Sequence, residues 1–278
     1  MTLGGKPFVL RITDETHRSS AQIEAELAFV DHLWAGGLGV ARAQPMPWGA
    51  RVLDSSALVS AHGRTHATVF SWLAGRHFSY HSPDINRPLF RLWGETMARL
   101  HQLSCTFHPG TATRRPDWPD DPVAGCSLDG VALDDETVRL RDELVGWIRS
   151  ITPEPAHYGM VHGDFERTNF VLEEGSIGLF DFDDCCRHWY FWDIACALWV
   201  FRRATAEERA RILGWFLDGY AAVREPDSRC VHHFSEVIRL RTLSLLLRRL
   251  RQPARLLGTA DRDWVARTQA WLQSSWSW

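Results

Sequence analysis

Residues 159–198 read GMVHGDFERTNFVLEEGSIGLFDFDDCCRHWYFWDIACAL, and short apolar runs alternate there with carboxylates. Residues 170–172 (FVL) and 177–180 (IGLF) are strand-like and flank residues 173–176 (EEGS), which read as the turn of a hairpin. Antiparallel pairing of the two runs brings Asn169, just before the first, and Asp181, just after the second, to one end. Asp164 lies five residues ahead of Asn169. A base, an amide oxygen and a carboxylate gathered at one point suit magnesium on phosphates, the requirement of phosphoryl transfer.

The spacing His162-x-Asp164-x4-Asn169, followed by Asp181-Phe182, matches the protein-kinase catalytic loop and its downstream metal-binding aspartate, with Gly163 where protein kinases carry arginine. On these residues the chain resembles the aminoglycoside phosphotransferase and choline kinase-like family of small-molecule kinases, whose hallmark is HGDxxxxN and a later D-F/L-x. Asp181-Phe182-Asp183-Asp184 and Trp192-Asp193-Ile194-Ala195 also resemble bacterial stress-response kinases, homoserine kinases and spore-coat relatives of the same fold. The resemblance extends over nearly the whole chain. It implies an α+β, bilobal protein-kinase-like fold: a small sheet-plus-helix nucleotide-binding lobe over residues 1–70, a hinge over 71–75, and a larger, mainly helical catalytic and acceptor-binding lobe over 76–278. It also implies ATP and Mg2+ as cofactors and a small-molecule hydroxyl as acceptor of the γ-phosphoryl group.

Carried over residue by residue, the resemblance makes Asp164 the group that orients or deprotonates the acceptor hydroxyl, and Asn169 and Asp181 the metal ligands. His162 and Asp193 take structural roles, the first anchoring the loop and the second bonding backbone beneath it. Arg11 in FVLRIT occupies the place of the strand lysine that contacts the α- and β-phosphates, and Glu26 that of its helix partner. Phe70, Ser71 and Trp72, within 69–73 (VFSWL), match the hinge that receives adenine. Two departures stand out. Arginine replaces the ammonium, and the family's first two strands and glycine-rich phosphate flap are expected to be lacking, since only seven residues precede FVLRIT.

Residues 8–13 read as a strand preceded only by a turn, and Ser19 or Ser20 caps a helix carrying Ile23, Leu27, Val30 and Trp34 and ended by Gly36-Gly37. Residues 51–59 and 66–72 read as further strands. Residues 87–103, 134–148 and 234–250 read as helices, and Thr205 with Glu208 forms a capping box for another. The Pro-, Gly- and Asp-rich stretch 107–129 reads as a surface loop. Asp183 and Asp184 divide evenly between capping carboxylates and a role near the metal.

The chain has 278 residues, 45% hydrophobic and 23% charged, with a formal charge of -3, which argues against bulk electrostatic binding of nucleic acid. No signal peptide or bilayer-length apolar run is read, so the expectation is a cytoplasmic protein with no membrane or nucleic-acid partner. Lysine and arginine total 31, and the only lysine is Lys6, so no GxxxxGK[ST] loop exists. Of the fourteen tryptophans, Trp93, Trp147, Trp199 and Trp215 fit core packing, whereas Trp189, Tyr190 and Trp192 are candidates for an acceptor pocket. Six arginines between Arg239 and Arg255 lean away from a polycationic acceptor. Two further functions stay open: a Ser/Thr protein kinase of the stress-response type, and a catalytically impaired kinase-fold binding protein.

Overall fold

A computed structural model describes residues 2–3, 6–54, 63–79, 85–110, 114–121, 124–252 and 258–278, with the backbone alone at Thr2, Leu3, Lys6 and Cys230. Two strands form the centre of the N-terminal sheet. Strand β2 (Lys6–Asp14) runs antiparallel to β4 (Thr65–Ser71), Arg11 facing Thr68. Strand β3 (Val52–Asp54) pairs with the far edge of β4, and β1 (Thr2–Leu3) pairs with β2, giving the order β1-β2-β4-β3. A short strand therefore precedes β2 where the sequence reading expected only a turn and an absent pair of strands. Most of the strand read over 51–59 lies outside the described residues.

Helix α1 (Ser20–Ala35) starts at Ser19, whose hydroxyl accepts from the Gln22 amide while the Gln22 side chain accepts from Ser19 N–H. It stops because Gly37 takes a left-handed φ of 85°, which lets Leu38 N–H reach Leu33 O. The apolar face is completed by Leu33. Trp34, expected to share that face, is exposed and lies under the Arg42 guanidinium, 3.9 Å from its ring centre. One side of α1 (Ile23, Leu27) packs with Ala41, Ala43 and Phe70 against the sheet. The other (Phe29, Val30, Leu33) joins the large core of the helical region, so this helix fastens the sheet to the rest of the molecule.

The helical region contains α2 (Arg87–Ser104), α3 (Asp135–Ser150), α4 (Phe191–Leu198), α5 (Ala206–Ala221), α6 (Ser228–His232), α7 (Phe234–Leu250) and α8 (Thr259–Gln273). Asn86 caps α2, Asp134 caps α3, and the Thr205–Glu208 capping box starts α5. Helices α2 and α5 cross with backbone against backbone: a Cβ on Gly94 would strike Phe216 O, and one on Gly219 would strike Arg91 O. The stretch 107–129 is not a surface loop in its described part. Arg115, Trp118, Asp121, Ala124 and Cys126 are buried, and Asp121 forms a fully buried ion pair with Arg18 at 2.9 Å. Among the described residues no helix is long and apolar enough to cross a membrane.

Candidate active site

The site grows from β5 (Tyr158–Val161), whose C-terminal end delivers the loop His162 to Asn169. Asp193, wholly buried on α4, fixes this loop: Oδ2 accepts His162 N–H and Oδ1 accepts Gly163 N–H, both at 2.8 Å. Gly163 has φ 83°, and a Cβ there would run into Asp184 O, so both conformation and space call for glycine. His162 Nδ1 accepts Asp164 N–H at 3.3 Å, which makes Nε2 the donor to Phe180 O at 3.1 Å. Burial lowers the pKa of His101, and as a neutral ring it donates from Nε2 to Asp193 at 3.1 Å while Nδ1 accepts from the Tyr220 hydroxyl. Burial alone would push the Asp193 carboxyl up, but the His101 bond and the backbone donors bring it below the usual range.

Beyond the loop, β6 (Phe170–Glu173) and β7 (Ser176–Leu179) pair with Phe170 opposite Leu179. Their two-residue turn has positive φ at Glu174 and Gly175, the twist that closes a tight hairpin. The register continues as Phe180 N–H donates to Asn169 O at 3.1 Å, so Asn169 and Asp181 stand at one end as the sequence predicted. Asn169 Nδ2 donates to Asp164 O at 2.8 Å and to Asp164 Oδ2 at 3.1 Å, which orients Oδ1 of Asn169 as its free oxygen for a ligand. Asp181 is half exposed, in the left-handed region with φ 63°. Its carboxyl is raised by desolvation between the elements, with Asp183 and Asp184 adding like charge and Arg11 pulling the other way. An amide and a carboxylate oxygen side by side fit a hard divalent cation.

From above, Arg11 on β2 meets Glu26 of α1 in a two-pronged pair, Nη1 to Oε1 and Nη2 to Oε2, each 2.7 Å. Its Nη1 also lies 3.9 Å from Asp181 and 3.8 Å from Asp183, and its guanidinium sits 4.9 Å from the Phe70 ring centre. Burial disfavours the charge, yet Glu26 more than compensates, so Arg11 stays cationic. A cavity of about 530 Å³ opens beside it, lined by Leu10, Arg11, Phe70, Ser71, Trp72 and Asp181 among others. Ser71 is tied to Arg42, its N–H donating to Arg42 O at 2.8 Å and its Oγ accepting Arg42 N–H at 3.0 Å.

Asp183 and Asp184 belong to a charge lattice. His17 Nε2 lies 2.6 Å from Asp183 Oδ2, Arg248 donates to Asp184 Oδ2 at 2.8 Å, and Arg18 and Arg115 hold the Asp183 carbonyl. Burial raises the Asp183 carboxyl, but the His17 bond and the Arg11 charge bring it well below the usual range. His17, Asp183 and Asp184 hold potential metal-ligating atoms within 4.8 Å of one another, with these guanidinium groups already balancing them.

A second cavity, about 450 Å³, lies on the far side of Asp164 and is lined by Glu166, Trp199, Arg241, Arg248, Asp261 and Trp264 among others. The sequence reading missed this group. Trp189, Tyr190 and Trp192, read as acceptor-pocket candidates, are buried in the core, and Trp199, read as core, packs against that core and lines the cavity as well. Arg241 is buried and ion-paired with Asp164, so the arginine-rich helix turns cations inward. The available signal was spacing: Arg241, Leu245 and Arg248 share one face of α7, and Gln252 follows just beyond its end.

The family model described as "Phosphotransferase enzyme family" matches residues 1–226. The chain belongs to the phosphotransferase enzyme family. Amicoumacin kinase of Bacillus subtilis (strain 168) is 26% identical over 250 residues, 85% of this chain and 71% of that protein. Homoserine kinase of Methylobacillus flagellatus is 26% identical over 221 residues, covering 78% of this chain and 64% of its own length. Among solved structures, amicoumacin kinase hAmiN in complex with AMP-PNP, Ca2+ and Ami aligns with a TM-score of 0.86 at 25% identity, over 97% of this chain and 82% of that one. The fold is protein-kinase-like, and the family member is a small-molecule phosphotransferase that uses ATP and a divalent cation. These relatives give no support to the protein-kinase reading.

Proposed function

We propose that ATP lies between a nucleotide lobe over residues 1–70 and a catalytic lobe over 76–278, its base against Phe70, Ser71 and Trp72 at the 71–75 hinge. Arg11, seated by Glu26, grips phosphate oxygens, and Asn169 and Asp181 hold Mg2+, which when bound neutralises charge on the phosphates. Asp164 accepts the proton of the acceptor hydroxyl as that oxygen bonds to the γ-phosphorus and the bond to the β-phosphate oxygen breaks, leaving ADP. The acceptor occupies the cavity lined by Glu166, Trp199 and Trp264, whose carboxylate and aromatic faces suit an ammonium group.

The supporting observation is the chain of contact through Asp164. It lines the acceptor cavity while bonded to Asn169, which stands beside Asp181 on the nucleotide cavity. The test is turnover of ATP against hydroxyl acceptors, including homoserine. Asp164→Asn is expected to lower kcat by about 10²–10⁴ with nucleotide binding retained. Turnover at the wild-type rate in that variant would remove Asp164 from the reaction. Mg2+ is expected to support more turnover than Ca2+ because its octahedral demand is the stricter.

A further inference from the structure

Arg241 is an unusual wall for an acceptor cavity. Its side chain is 5% exposed, and of its three nitrogens only Nη2 has a partner, Asp164 Oδ1. Nε and Nη1 are closed to solvent with no hydrogen-bond acceptor among the described residues. A guanidinium can take a carboxylate on either of two edges, Nε with Nη2 or Nη1 with Nη2, and each edge here contains one unfilled nitrogen. Buried donors without partners cost free energy, so the site favours an anion that fills them. Asp164 is held at the same time, Oδ1 accepting from Arg241 and Oδ2 from Asn169.

The charge inventory narrows the ligand. The cavity lining carries the carboxylates Asp164, Glu166 and Asp261 and the guanidinium groups Arg241, Arg248 and Arg249. Such a balanced lining suits a zwitterion better than a polycation or a polyanion.

We propose that the acceptor is a hydroxy amino acid, whose carboxylate draws Arg241 away from Asp164 and so releases the base that the hydroxyl must meet. Because the unfilled nitrogens are closed off in the resting arrangement, engaging them requires Arg241 to move. Acceptor binding and release of Asp164 are thereby one event. This rests on the phosphotransferase reading of Asp164 and names the class of substrate it serves.

Two matched pairs test it: L-homoserine with 3-amino-1-propanol, and L-serine with ethanolamine. Within each pair hydroxyl and amine are kept and only the carboxylate is lost. Wild type is expected to favour the carboxylate-bearing member of at least one pair by about a hundredfold or more in kcat/KM. Arg241→Met should abolish that ratio by raising KM for the carboxylate member, and Arg241→Lys should restore part of it. A purely structural Arg241 would lower kcat for both members equally. Equal use of both members by wild type, or an unchanged ratio in Arg241→Met, overturns the proposal. Equilibrium binding of the same four compounds to wild type with AMP-PNP separates the failures. Carboxylate-dependent binding without transfer counts against Asp164 as the base, whereas binding with no carboxylate dependence sinks this inference even when Arg241→Met does not fold.

Discussion

Both carboxylate oxygens of Glu26 are met by Arg11, Nη1 on one and Nη2 on the other at 2.7 Å, and Glu26 has no solvent exposure. Removing one partner strands the other. Arg11→Ala should destabilise the fold by about 3–5 kcal/mol, as for other broken buried pairs, and raise KM for ATP. The double variant Arg11→Met/Glu26→Leu should recover much of that stability without recovering nucleotide affinity. Denaturant titration and ATP kinetics on the same samples read both, and recovery of ATP affinity in the double variant would refute the phosphate role of Arg11.

Asp193 carries the loop on a buried charge. Asp193→Asn sets an amide N–H₂ against one of the backbone donors and should cost about 3 kcal/mol, measured by chemical denaturation. The pH dependence follows from the depressed carboxyl of Asp193. Its stabilising contribution is complete above the unfolded carboxyl value of about 3.9 and is lost as pH falls through the lower folded value. Asp183, depressed likewise, adds to that acid-side loss. Melting temperature against pH should therefore fall less steeply below pH 4 in Asp193→Asn than in wild type, and a parallel fall would contradict the assignment.

The crossing of α2 and α5 predicts opposite outcomes for two glycines of one helix. Gly219→Ala should destabilise by about 2–3 kcal/mol because its methyl group meets the α2 backbone. Gly214→Ala, with nothing within 4 Å, should stabilise by up to about 1 kcal/mol through helix propensity. Thermal melts of the pair decide it; similar shifts in both would mean that the helices pack otherwise.

Thiol labelling maps the core. Burial pushes Cys126 and Cys185 up to about 12 and raises Cys186 and Cys196 as well, whereas Cys105 is exposed. Under native conditions an alkylating reagent followed by peptide mass spectrometry should find Cys105 modified and those four protected. Labelling of Cys196 at a rate near that of Cys105 would show the cavity beside Asp164 to be open to its floor.

The geometry of the loop from His162 to Asp181 was legible because its residues are close in sequence and their spacing is enforced by local structure: a clamped glycine, a hairpin turn, a strand register. Helix starts were legible for the same reason, since Ser19, Asn86, Asp134 and Thr205 cap their helices within three residues. Illegible features depend on distant partners. Arg241 reaches Asp164 across 77 residues and Arg18 reaches Asp121 across 103, so neither charge could be told from a solvated one by its neighbours. The stretch 107–129 misled through its composition: prolines and glycines mark turns, but Trp118 and Arg115 within it are drawn inward by Trp189 and by the carbonyl of Cys185. Closeness in sequence to Asp181 marked Trp192 as a pocket candidate, but the start of α4 turns it into the core, while Trp199 past the end of that helix reaches both core and cavity.

The guanidinium of Arg11 also sets how this enzyme can be reached chemically. Amine-directed acylating probes that mark nucleotide sites through a strand lysine have no target at this position, since Lys6 is the sole side-chain amine of the chain. Nor can lysine acetylation neutralise the phosphate grip proposed for Arg11, because a guanidinium on a bidentate carboxylate keeps its proton and its charge. Profiling methods that find kinases by that amine will pass over this one.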